Sequence, residues 1–170
     1  MTFKEALKIK KLNLPNSTKK GIPLEWNDKH NNKHNFFDRV KRADLNRNEV
    51  IPKIVKSLDD LSDELSYGGP FIISFTKSKF YLSVFVETKN KIPNEKINKI
   101  SIKTILTWDM KLRDKDKILD INEVEELYDF DLSEFYKDGF VNSYYGGLLI
   151  EESIDRKSLE VFPDIIEVEL

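Results

Sequence analysis

The hydrophobic period of this chain changes at one place, and that change limits the folds open to it. Val50, Ile51, Ile54, Val55, Leu58, Leu61 and Leu65 recur at spacings of three and four, the stripe of an amphipathic helix. Pro52 falls in the first turn, where a missing N–H costs nothing, and Asn48 is positioned to cap the helix. Tyr67-Gly68-Gly69-Pro70 then ends the pattern by chain reversal. Beyond it, Phe71 to Lys77 and Lys79 to Thr88 are β-branched and aromatic runs parted at Ser78, which predicts an antiparallel hairpin. In the second run Phe80, Leu82, Val84 and Val86 alternate with Tyr81, Ser83, Phe85 and Glu87. Apolar groups on both faces predict a central strand covered on both sides.

The rest of the chain is read around that switch. Thr2 and Glu5 make a capping-box pattern ahead of Phe3, Ala6 and Leu7, which predicts a short helix to about Lys11. Asn13 to Asn35, punctuated by Pro15, Gly21 and Pro23, reads as irregular, with Ile22, Leu24 and Trp26 as anchors on the core. Phe36, Phe37, Val40, Ala43 and Leu45 suit a second short helix, and Ile100, Ile102, Thr104, Leu106 and Trp108 a third strand of period 2, with a helix as the alternative there. Asp120 to Asp138 keeps helical spacing through Ile121, Val124, Leu127, Tyr128, Leu132 and Phe135. Leu148–Ile150, Leu159–Phe162 and Ile166–Leu170 read as closing strands. The expected architecture is a single α+β domain over residues 1–170. N-terminal helices pack on a mostly antiparallel sheet, with one acidic helix inserted before the last strands.

Composition fits a globular chain. Leu, Ile, Val and Phe make up about a third of it, too many for disorder. There is no apolar run of the roughly 18 residues that a membrane span needs, and the opening residues lack the apolar block of a secretory signal. Zero Cys removes disulfides, thiolate metal sites and Cys nucleophiles. The expectation is a cytoplasmic protein with no cofactor and no membrane partner.

Charge is sorted by position. Residues 1–57 carry 14 Lys and Arg against 6 Asp and Glu, and residues 120–170 carry 3 against 15, or +8 and −12. A net charge of −2 therefore hides a strong dipole, and a block of one sign is a long-range field that selects partners. Abundant Lys and Asn with scarce Arg are also what an A- and T-rich genome produces, which explains the basic third but not the acidic one.

Glu123, Glu125, Glu126, Asp129, Asp131, Glu134 and Asp138 crowd carboxylates onto the predicted helix beside a single base, Lys137. Like charges meet at i,i+4 (Glu125 with Asp129, Glu134 with Asp138), and each such pair costs a few tenths of a kcal/mol. The pattern suits a solvated face, a face neutralised by the basic third, or a surface for a basic partner. Tyr128, Phe130 and Tyr136 would be the aromatic anchors of such a surface.

Other motifs are weaker. Asp129, Asp131 and Ser133 match three positions of a calcium loop, but Glu134 replaces its turn Gly and Phe140 its bidentate Glu. His30 and His34 have metal-ligand spacing within poor helix material and read as surface residues. Glu87-Thr88-Lys89 has the form of half a metal-dependent nuclease centre, without the Asp expected on the preceding strand. Nucleic-acid binding through the basic third is disfavoured by scarce Arg and by the −12 tail.

In kind the chain looks like small bacterial proteins that neutralise a toxin, which are often Cys-free and acidic on one face. The expected function is therefore a non-enzymatic immunity or antitoxin protein whose partner is a basic toxin, such as a nuclease. A metal-dependent nuclease-like enzyme and a structural or phage assembly protein are the alternatives. Oligomeric state is open.

Overall fold

The computed structural model describes residues 1–28, 35–47, 49–66, 68–88, 96–108, 143–145, 148–152, 159–163 and 165–168. Among them are four helices, α1 (Phe3–Ile9), α2 (Phe36–Arg42), α3 (Val50–Asp60) and α4 (Ser62–Leu65). The strands are β1 (Leu24–Trp26), β2 (Gly69–Phe75), β3 (Phe80–Thr88), β4 (Ile97–Thr107), β5 (Ser143–Tyr145), β6 (Leu148–Glu152), β7 (Leu159–Pro163) and β8 (Ile165–Val168). They form a five-stranded sheet in the order β1-β4-β3-β2-β8 and a three-stranded sheet in the order β5-β6-β7.

The predicted hairpin is the middle of the larger sheet. β2 and β3 pair antiparallel from Gly69–Val86 to Phe75–Phe80, and β3 pairs antiparallel with β4. The two flanking strands, β1 on β4 and β8 on β2, run parallel to their neighbours. With the antiparallel three-stranded sheet included, four of six pairings are antiparallel, so the mostly antiparallel α+β expectation holds.

One face of the sheet carries Phe71, Ile73, Phe75, Phe80, Leu82, Val84, Val86, Ile100, Ile102, Leu24 and Trp26, all buried. The helices close over it with Phe3 and Leu7 from α1, Phe36 and Val40 from α2, and Ile51, Ile54 and Leu58 from α3. Phe3 and Phe36 lie tilted at 6.1 Å between ring centroids, which locks α1 to α2, and Phe75 and Phe80 meet at 4.9 Å across the hairpin. The other face is covered too: Ile72, Ser83 and Leu106 have no exposed surface. β3 is thus central and two-sided, as its doubled apolar pattern predicts.

Several local expectations are borne out. Thr2 and Glu5 form the reciprocal capping box, with Glu5 N–H donating to Thr2 Oγ1 at 3.0 Å and Thr2 N–H to Glu5 Oε2 at 3.1 Å. Trp26 is a core anchor whose indole N–H donates to the Pro15 carbonyl at 3.0 Å.

Other expectations are corrected. Trp108, expected in the third strand, instead lies one residue past the end of β4, 44% exposed and stacked on Tyr81. The stripe from Val50 to Leu65 is two helices, because Leu61 leaves helical geometry (φ −92°, ψ 8°). The Asp59 carbonyl, which an unbroken helix would offer to Asp63 N–H, instead accepts from Lys20 Nζ at 3.2 Å. Asn48, expected as cap, lies outside the described residues. Glu49 occupies the N-cap position in left-handed geometry (φ 73°) with no side-chain cap bond. Leu24-Glu25-Trp26, read as part of an irregular segment, is an edge strand with the buried-exposed-buried alternation of its type. Ser143–Tyr145 is a further strand that no pattern announced. The predicted acidic helix, Asp120 to Asp138, falls outside the described residues.

Gly68 shows why the chain reverses where the period changes. It sits at φ +77°, its N–H donates to the Leu65 carbonyl at 3.0 Å, and a Cβ there would lie 2.9 Å from Thr88 Oγ1. Gly21 has the same need for positive φ (+92°) but open space around it. Gly68→Ala is expected to cost about 1–3 kcal/mol, from strain and crowding together. Gly21→Ala is expected to cost about 1–2 kcal/mol from strain alone. Urea midpoints of the two variants measure the difference; equal losses would show that the Thr88 contact is not felt.

Candidate functional site

The residues expected to bind a partner, Glu123, Glu125, Glu126, Tyr128, Asp129, Phe130, Asp131, Glu134, Tyr136 and Asp138, all lie outside the described residues. So do His30, His34 and Lys89. Three groups of charged or polar residues are described: the basic opening third, a charged cluster on the sheet, and two clefts.

In the opening third, Lys8, Lys11, Lys19, Lys41, Lys53 and Lys56 are exposed, and none has an ion pair among the described residues. The two arginine pairs are local and surface-exposed. Arg42 Nε lies 3.3 Å from Asp38 Oδ2, and Arg47 Nε lies 3.3 Å from Asp44 Oδ2. Such pairs contribute little, about 0–1 kcal/mol. Lys10, the C-cap of α1, has its ammonium 4.9 Å from the centre of the Phe37 ring.

On the sheet, strand register brings together three charges that no linear motif announced. Lys99 of β4 sits beside Glu87 of β3, its register partner, and diagonal to Glu25 of β1. Its ammonium is 3.0 Å from Glu25 Oε2 and 3.7 Å from Glu87 Oε2. The hydrogen bond to Glu25 outweighs the cost of partial burial and, with the Glu87 charge, holds the Lys99 pKa above its ordinary value. The signal was hidden because Glu25 joins the cluster only once β1 is recognised as a strand.

This geometry bears on the nuclease-like motif. Glu87 is the expected carboxylate, but the β2 residues across from its neighbours Val86 and Phe85 are Gly69 and Pro70. The nearest described acid on the sheet is Glu25, and a lysine ammonium stands where a metal ion would bridge the two. Among the described residues no three His, Asp or Glu side chains gather as metal ligands.

Two clefts flank β1 and β4. One, of about 460 Å³, lies between the Lys20–Pro23 turn, α4 and the start of β4, and is lined by Lys20, Ser62, Asp63, Ser66, Lys96 and Asn98 among others. Asp59 fastens that turn: its Oδ2 accepts from Lys20 N–H at 3.1 Å, while its buried Oδ1 has no hydrogen-bond partner among the described residues. The second cleft, of about 430 Å³, lies between α1, the following segment and β1, with Lys4, Lys8, Leu14, Asn16, Trp26 and Asp28 among its walls. No helix among the described residues is long and apolar enough to cross a membrane.

Comparison with protein-family models, with curated proteins and with solved structures found no match.

The Lys99 cluster makes a pH prediction. A raised folded pKa means that the pairing contributes fully below the unfolded value of 10.5 and is lost as pH rises through the folded one. Unfolding free energy should therefore lose about 0.2–1 kcal/mol on this account only in alkali, the range for half-exposed pairs. Lys99→Gln should remove that alkaline slope and lower stability near neutrality by the same small amount. A variant with an unchanged alkaline slope would show that Lys99 does not report on the two glutamates.

Proposed function

We propose that this protein is a partner-binding inhibitor of the immunity or antitoxin kind, which neutralises a basic toxin through its acidic C-terminal third. The observation that carries the reading is the −12 charge of residues 120–170 set against +8 in residues 1–57. The long-range field raises the encounter rate with a cationic partner, and an aromatic anchor among Tyr128, Phe130 and Tyr136 supplies the short-range energy. The partner is cationic because only a cation gains from eight carboxylates between Asp120 and Asp138. A nuclease is the natural example, since a groove that holds phosphates is lined with Lys and Arg.

The nuclease-like alternative draws less support. Glu87 is engaged by Lys99, and the neighbouring strand offers no carboxylate in register.

The test uses the product of the open reading frame adjacent to this one, because inhibitor and toxin are commonly encoded together. The quadruple variant Glu125→Gln, Glu126→Gln, Asp129→Asn, Asp131→Asn should slow association by at least about tenfold at low salt, with a flatter salt dependence and a smaller change in dissociation. Unchanged association kinetics at every salt concentration would remove the reading.

A further inference from the structure

The break between α3 and α4 has its cause outside those two helices. Neither Gly nor Pro lies between Ser57 and Ser66, and Leu58, Leu61 and Leu65 continue one apolar stripe across the break. A sharp kink without either residue points to a group set into the ladder of backbone hydrogen bonds. Here that group is Lys20. Its ammonium donates to the Asp59 carbonyl at 3.2 Å, and its backbone N–H donates to Asp59 Oδ2 at 3.1 Å. One residue thus holds Asp59 at two points, and two positions later Leu61 turns to φ −92° and ψ 8°.

The hold is firm because the turn that carries Lys20 braces itself. Thr18 N–H donates to the Ile22 carbonyl at 2.9 Å and Gly21 N–H to the Thr18 carbonyl at 3.0 Å. Ile22 N–H donates to Thr18 Oγ1 at 3.1 Å, and Gly21 supplies the positive φ of +92° that closes the turn. Thr18 is buried and Lys20 is exposed. The turn and α4 are also two walls of the 460 Å³ cleft, through Lys20 to Pro23 on one side and Ser62, Asp63 and Ser66 on another.

The local pattern thus favours one helix while a contact from a distant segment imposes two. Conflict between levels of this kind marks strained or functional elements. The joined form is close at hand. Leu61 N–H already donates to the Ser57 carbonyl and Leu65 N–H to the Leu61 carbonyl, both at 2.9 Å and both with helical i→i−4 spacing. Joining passes the Asp59 carbonyl from Lys20 to the Asp63 N–H, and the leucine stripe keeps its face.

We propose that Lys20 is an ammonium-dependent latch. With the ammonium on the Asp59 carbonyl, α3 and α4 are held as two helices. Loss of that donor lets them join through Leu61 and shifts the α4 wall of the cleft. The device is independent of the acidic stretch and of its partner.

The test is amide hydrogen exchange and backbone carbon chemical shifts of the full chain carrying Lys20→Met or Lys20→Arg. Lys20→Met keeps the apolar stem and removes the donor. It should slow Asp63 exchange by at least about tenfold and move the Leu61 shifts to helical values. Lys20→Arg, which keeps a charged donor, should leave both as in the parent protein. Exchange at the β2 and β3 amides in the same spectra checks that each variant is folded. Unchanged Asp63 exchange in Lys20→Met overturns the proposal, because packing and not Lys20 would then set the break. Faster Leu65 exchange in that variant also overturns it, since Lys20 would then support α4 instead of parting it from α3. So does the same Asp63 protection in Lys20→Arg.

Discussion

The apolar face shared by β2, β3 and β4 is the constraint on which the rest of this structure depends. Ile73, Leu82, Val84, Ile100 and Ile102 form a continuous buried surface, and each of α1, α2 and α3 is held by pressing an apolar stripe against it. None of these helices exceeds 11 residues, so none would be stable alone in water. Burial of each large side chain contributes roughly 1.5–3 kcal/mol, far more than any surface pair in the molecule. The exposed lysines of the opening third are therefore spectators of folding.

That division of labour shapes the edges of the sheet. The antiparallel centre is made by local pairing, whereas β1 and β8 reach it from distant parts of the chain and join in parallel. β1 is short because β4 bulges at Lys103: Val84 pairs with Ile102 and Ser83 with Thr104. Asn27 closes the strand there by donating through Nδ2 to the Lys103 carbonyl at 3.0 Å. The bulge thus coincides with the end of β1. Lys99, held between Glu25 and Glu87, ties the same edge strand to the centre across β4.

Much of this was legible in the sequence, and the reasons are physical. Period-2 and period-3.6 patterns announce elements long enough to repeat, which is why α3, β2, β3 and β4 were found and why the two-sided burial of β3 was foreseen. The capping box was legible because its chemistry is local. β1 was not, since three residues cannot display a period and its partner is more than seventy positions away. The break at Leu61 was hidden because Lys20, from another segment, takes the Asp59 carbonyl. For the same reason the Glu25–Lys99–Glu87 cluster exists only in the folded register. The acidic stretch is the reverse case. Its composition is unmistakable in the sequence, and its function rests on whether those carboxylates face solvent.

Carbodiimide labelling of carboxylates in the native protein, read residue by residue by mass spectrometry, measures that directly. The account predicts that Glu123, Glu125, Glu126, Asp129, Asp131, Glu134 and Asp138 label at nearly the rate of the unfolded chain and become protected when the basic partner binds. Strong protection in the free protein, relieved when the lysines of residues 1–57 are neutralised by acetylation, would show that the two charged thirds satisfy each other and would contradict it.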